Sequence, residues 1–95
     1  MIHEMLAEGR ENAITGRALA DALQCDIRSV TIQIEQERRQ GHPICAATGN
    51  APGYYLARDA DELQCYCDII EGRATELFKT RQALIKVLRQ YADGK

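Results

Sequence analysis

The chain lacks any apolar run longer than a few residues, whereas a membrane helix needs roughly 18 or more. No charged segment followed by a hydrophobic stretch opens it, so no secretory leader is expected and a cytoplasmic protein with no membrane partner is. A surplus of positive charge is also missing. With a formal net charge of -2 over 95 residues, the chain is not one that coats polyanions by bulk electrostatics, and any such binding must come from a local basic patch. Nor does it contain a nucleophile elbow, a phosphate-cradling glycine loop or a metal-spaced ligand set. The expectation is therefore a protein that is not an enzyme and uses no metal or cofactor.

Four cysteines are present, Cys25, Cys45, Cys65 and Cys67. Without a secretory signal they read as reduced thiols that pack as small hydrophobes. Cys65 and Cys67 are two apart, so on a helix they point about 200° from each other and do not share one ion. Metal or redox sensing is the minor alternative. His3 and His42 have no evident partner in the sequence and are expected on the surface.

The length suits one core, and the 45% hydrophobic and 27% charged content is that of a folding chain. Ile2, Met5 and Leu6 predict a short first helix ending in a turn at 9–12. Ala13-Ile14 reads as a short extended piece that runs into a cap at Thr15, and a second helix follows over about 16–24 with Leu19, Ala20 and Leu23 on one face. Asp26 is the next cap. The third helix, about 27–40, turns Ile27, Val30 and Ile34 inward together and stops at Gly41. The runs 44–48 and 54–56 flank a Gly-Asn-Ala-Pro-Gly segment and predict a two-stranded hairpin. From Asp59 the sequence is helical to about Tyr91, without proline and with one glycine, Gly72.

The stretch 14–56 resembles the winged helix-turn-helix domain at the N-terminus of bifunctional biotin-protein ligase/repressors and of related bacterial regulators. Leu19-Ala20, Leu23, the cap at Asp26, Val30, Ile34, Gly41, Pro43-Ile44 and the closing Gly53-Tyr54-Tyr55-Leu56 carry the resemblance, in order and at similar spacing. Three positions depart from it: Gln24 stands where glycine is usual, Glu37 where leucine is usual, and Ile32 where a polar residue is common. The expected fold is mainly α with a small β-hairpin wing, a winged helix-turn-helix over 1–58 followed by a long C-terminal dimerisation helix over 59–95. No ligase chemistry is implied, since the catalytic domain of those repressors has no counterpart here.

What the resemblance implies is a transcriptional regulator that binds double-stranded DNA as a homodimer, with the third helix in the major groove. The middle of the chain suits this, because residues 27–58 carry four Arg against two Glu while residues 1–26 carry two Lys/Arg against five Asp/Glu. Advancing about 100° per residue from Val30 puts Arg28, Ile32, Glu35, Gln36 and Arg39 on the outer face, flanked by Ser29 and Thr31. Arg28, Ser29 and Gln36 are the candidates for base edges, and Ile32 for a thymine methyl. Thr15 and Arg17 at the start of the second helix suit a phosphate, and Asn50 and Arg58 of the wing are placed to reach the DNA backbone or minor groove. The alternative is a non-catalytic protein-protein interaction module on the same scaffold, with Ile32 engaging a protein partner.

Along the C-terminal helix, Leu63, Cys67, Ile70, Ala74, Leu77, Leu84, Leu88 and Tyr91 follow alternating steps of four and three, interrupted only by Arg81. That is a heptad seam, and a second copy is its natural partner. Its periodicity leaves parallel and antiparallel pairing open. Tyr66, Ile69, Phe78 and Ile85 form a second stripe.

Overall fold

The structure, a computed structural model, describes residues 1–47 and 52–94. They fall into two compact units, Met1–Gln64 and Cys65–Lys95. The first contains α1 (Gly16–Leu23), α2 (Ile27–Arg39), β1 (Ile44–Ala47) and β2 (Gly53–Leu56), preceded by two 3-10 turns, Ile2–Met5 and Arg10–Asn12. The second consists of the body of α3, which spans Ala60–Ala92. Two helices, a hairpin and a long terminal helix make a mainly α chain with a small antiparallel wing, the winged helix-turn-helix arrangement.

Local chemistry explains where the helices begin. Thr15 Oγ1 accepts the Ala18 amide at 3.0 Å and Asp26 Oδ1 accepts the Ser29 amide at 2.7 Å, each satisfying a donor that a first helical turn leaves free. Asp59 Oδ1 does the same for the Glu62 amide at 2.9 Å, while the Glu62 carboxylate returns to the Arg58 amide at 2.7 Å. The turn between α1 and α2 is closed by Gln24 in the left-handed region, φ 55 and ψ 46. Gln24 N–H donates to Asp21 O and Cys25 N–H to Ala20 O, so two carbonyls of the last turn of α1 are occupied.

Strands β1 and β2 are antiparallel with Ile44 opposite Leu56 and Ala47 opposite Gly53. The free edge of β2 is taken by the extended residue before α1, where Ile14 and Tyr54 exchange backbone hydrogen bonds of 2.8 and 2.7 Å. Gly53 is required at this crossing, since a Cβ there would stand 2.9 Å from the Ile14 carbonyl.

The core is Ile2, Leu6, Leu19, Ala20, Val30, Ile34 and Ile44, with Ile14, Tyr54 and Leu56 packed against it. Two expected core residues are outside it: Leu23 and Ile27 are 43% and 45% exposed, because they are the last and first residues of their helices and the turn between them faces solvent. The expected first helix is a single 3-10 turn. Ile2 and Leu6 of this segment pack into the core, and a side chain of α2 ties its backbone down as well.

That side chain is Glu37. Fully buried on the inner face of α2, its carboxylate accepts the amides of Ile2 at 2.8 Å and His3 at 2.7 Å and the Gln33 side-chain amide at 2.8 Å, and it pairs with His3 Nδ1 at 2.6 Å. Burial pushes its pKa up, but the hydrogen bonds from His3, Gln33 and Ile2 outweigh it and hold the group at about 2. His3 in turn stacks on His42, ring centroids 3.6 Å apart. Neither histidine is the surface residue the sequence suggested; both are half-buried. None of the four cysteines is in a disulfide among the described residues; Cys45 is fully buried, its thiol donating to Pro43 O at 4.0 Å, whereas Cys25, Cys65 and Cys67 are exposed.

Candidate nucleic-acid interface

The burial pattern of α2 fixes which face is available. Val30, Ile34 and Glu37 point into the core, so the helical repeat turns Arg28, Ile32, Glu35, Gln36 and Arg39 outward, all exposed, with Ser29 and Thr31 exposed beside them. Every residue expected on the outer face is there, and Ile32 is 50% exposed at its centre.

Availability differs among them. No hydrogen bond or ion pair joins the side chains of Arg28, Gln36 or Arg39 to another described residue, so their donors are directed to solvent. Ser29 donates its backbone amide to Asp26 Oδ1 at 2.7 Å, and the proximity of its side chain and then this amide holds that carboxyl below its usual range. The Thr31 hydroxyl donates to Ile27 O at 3.1 Å. Glu35 is neutralised by Arg38 Nη1 at 2.7 Å, while Arg38 Nε donates to Ile44 O at 2.8 Å and ties the end of α2 to the wing. The carboxylate in the middle of this face is thus matched by a cation one turn away.

Thr15, Gly16 and Arg17 at the start of α1 meet Ile27 and the wing residues Ala46, Ala47, Pro52, Gly53 and Tyr54 around one open hollow of about 360 Å³. The hollow is thus lined by the first residues of α1, including the basic Arg17, a favourable setting for an anionic oxygen. Arg58 is engaged elsewhere, in an ion pair with Glu11. Asn50 lies outside the described residues.

Two features of the site were not anticipated. Glu37 fixes the register of α2 against the N-terminal segment, and Arg38 anchors its end to β1. A charged residue where the inward repeat of Val30 and Ile34 calls for an apolar one was the available signal for the first; Arg38 carried no signal.

On α3, the seam residues Cys67, Ile70, Ala74, Leu77, Leu84, Leu88 and Tyr91 are all exposed and Leu63 is half-buried. Tyr66 is the one buried residue of that helix. Among the described residues no group of three metal-ligating side chains gathers, and no helix is long and apolar enough to cross a membrane. Comparison with known proteins finds no match: no family model fits the chain, and no curated protein or solved structure matches it.

Proposed function

We propose that the chain is a sequence-specific double-stranded DNA-binding protein, a cytoplasmic transcriptional regulator that acts as a homodimer and reads the major groove with α2. The observation that carries this reading is the outer face of α2, where Arg28, Gln36 and Arg39 are exposed and uncommitted around a central Ile32. Arg28 matches the two acceptors of guanine, Gln36 the donor-acceptor pair of adenine, and Ile32 the thymine methyl. Arg17 and the amides at the start of α1 take phosphate oxygens and fix the register, and Ser29, exposed at the start of α2 with its amide capped by Asp26, stands beside Arg28 as a candidate for a base edge.

Fluorescence-polarisation binding to fragments of the DNA flanking its own gene tests this. A dimer engaging about six phosphates loses roughly 10³-fold in affinity between 50 and 200 mM salt, and retains a preference for one fragment at each salt concentration. Absent or salt-independent binding overturns it. The second reading, a protein-interaction module, is favoured by the half-exposed Ile32 and the net charge of -2. A stoichiometric protein partner lost on Ile32→Ser, with no DNA retained, would establish that reading instead.

A further inference from the structure

The charges of α3 are segregated along its length. From Ala60 to Glu76 it carries Asp61, Glu62, Asp68, Glu71 and Glu76 against Arg73, a net of -4; from Leu77 to Ala92 it carries Lys79, Arg81, Lys86 and Arg89 against no carboxylate, a net of +4. The helix dipole favours acids in the first turn and bases in the last. It does not reach Asp68, Glu71, Glu76, Lys79 or Arg81, which lie several turns from either end. We propose that two copies of the chain pair through α3 in antiparallel orientation, the acidic half of each against the basic half of the other, with Cys67 of one copy opposite Leu84 of its partner. The proposal rests on the reading of α3 as the dimer element and specifies its geometry.

Three observations converge on this arrangement. Leu77, Leu84, Leu88 and Tyr91 are 72%, 63%, 59% and 69% exposed, an apolar stripe broken only by Arg81 and of a kind that soluble surfaces rarely leave uncovered. A parallel pair sets like charge against like along the whole helix and puts Arg81 against Arg81 in the seam. In the antiparallel register each Arg81 lies opposite Ile70, and the two guanidinium groups are separated by about 16 Å along the axis at 1.5 Å per residue. Side-chain volumes agree. A parallel pair stacks Ala74 on Ala74 and Cys67 on Cys67, thin layers between thick ones, whereas the antiparallel pair sets Ala74 against Leu77 and Cys67 against Leu84, layers of even thickness that fill the seam.

The exposed thiols supply the test. With Cys25 and Cys65 replaced by Ser and the buried Cys45 retained, Cys67 is the one reactive thiol, and the two Cys67 of an antiparallel pair are about 25 Å apart. Oxidised glutathione should give no cross-linked dimer from this protein. Once Leu84→Cys is added, it should give a disulfide between Cys67 of one copy and the thiol introduced at position 84 of the other. A spin label on Gln90→Cys in a Cys25→Ser, Cys65→Ser, Cys67→Ala background leaves the seam leucines intact, and should report about 44 Å between copies against roughly 20 Å for a parallel pair. A Cys67–Cys67 link, or a separation near 20 Å, overturns the orientation while leaving the dimer standing. An antiparallel dimer in which Cys67 fails to cross-link to the introduced thiol overturns the register. Sedimentation as a monomer at tens of micromolar overturns the pairing itself.

Discussion

The two compact units solve opposite problems. Residues 1–64 fold around seven buried apolar side chains and tie even the N-terminal turn down with a buried carboxylate. The body of α3 leaves nearly every apolar residue exposed. Burial of an aliphatic side chain is worth about 1.5–3 kcal/mol, and that driving force is already realised in the winged unit and still available in the helix. An isolated helix draws little stability from propensity alone and most from packing an apolar face. The first unit therefore reads as complete within one chain, and the second as complete only against another surface.

The largest effect should come from breaking the unsatisfied half. Placing aspartates at Leu84 and Leu88 of each copy disrupts four seam layers of the pair and buries charge in their place, so self-association should weaken by at least about 10³-fold, some 4 kcal/mol. Analytical ultracentrifugation reads the loss directly. The melting of the winged unit should be unchanged, and a parallel loss of winged-unit stability would show that the two regions are not independent in this way.

Within the satisfied half, Glu37→Ala should be the most damaging single substitution, about 3 kcal/mol by urea denaturation, because it strands the Ile2 and His3 amides in a dry site. Its pH dependence has a definite sign. The carboxyl of the folded chain sits near 2, below its unfolded value of 4.5, so its contribution is complete above about pH 4.5 and is lost as the pH falls toward 2. The shift corresponds to about 3 kcal/mol. Glu37→Gln should flatten the acid limb of the stability profile across that window, and a profile identical to that of the parent would show that another group controls it.

The outer face of α2 should behave differently again, since on the proposed function it serves recognition and not stability. Arg28→Ala should leave the melting curve within about 0.5 kcal/mol of the parent and lower the preference for the selected DNA fragment by roughly 1–3 kcal/mol, about 5- to 150-fold. Arg39→Ala, at the other end of the face, should weaken binding to all fragments alike and reduce the salt slope by about one per copy. Reversal of those two patterns would exchange the base-reading and phosphate roles.

What the sequence revealed was local. The caps at Thr15, Asp26 and Asp59, the inward repeat of Val30 and Ile34, and the hairpin around Gly53 each depend on residues a few positions apart, and local hydrogen bonding and periodicity are what a single sequence displays. What escaped it was distant. The Glu37 clasp joins residues 34 and 35 positions apart, the pairing of Arg58 with Glu11 spans nearly half the chain, and the stack of His3 on His42 follows from the clasp. Each was visible only as an oddity, a charge or a histidine with no local role. For the candidate interface, the outer face of α2 followed from its period, while the commitment of Glu35 to Arg38 required the geometry.

The smallest effect tests the comparison at its finest grain, in the two turns that end α1 and α2. Gly41 follows α2 at φ +103 with no atom near its missing Cβ, and Gln24 follows α1 at φ 55 with a side chain exposed to solvent. Both turns need the left-handed region, but only one carries the residue that adopts it without steric cost. A non-glycine residue there costs roughly 1–2 kcal/mol, and glycine returns part of that through the larger entropy of its unfolded chain. Gln24→Gly should therefore stabilise the winged unit by about 0.5–1 kcal/mol, and Gly41→Ala should destabilise it by a similar amount. Neither residue lies on the outer face of α2, so DNA affinity should be unchanged in both. If Gln24→Gly instead lowered stability, the glutamine side chain would have to make a contact of its own, and the turn between α1 and α2 would be held by more than its backbone.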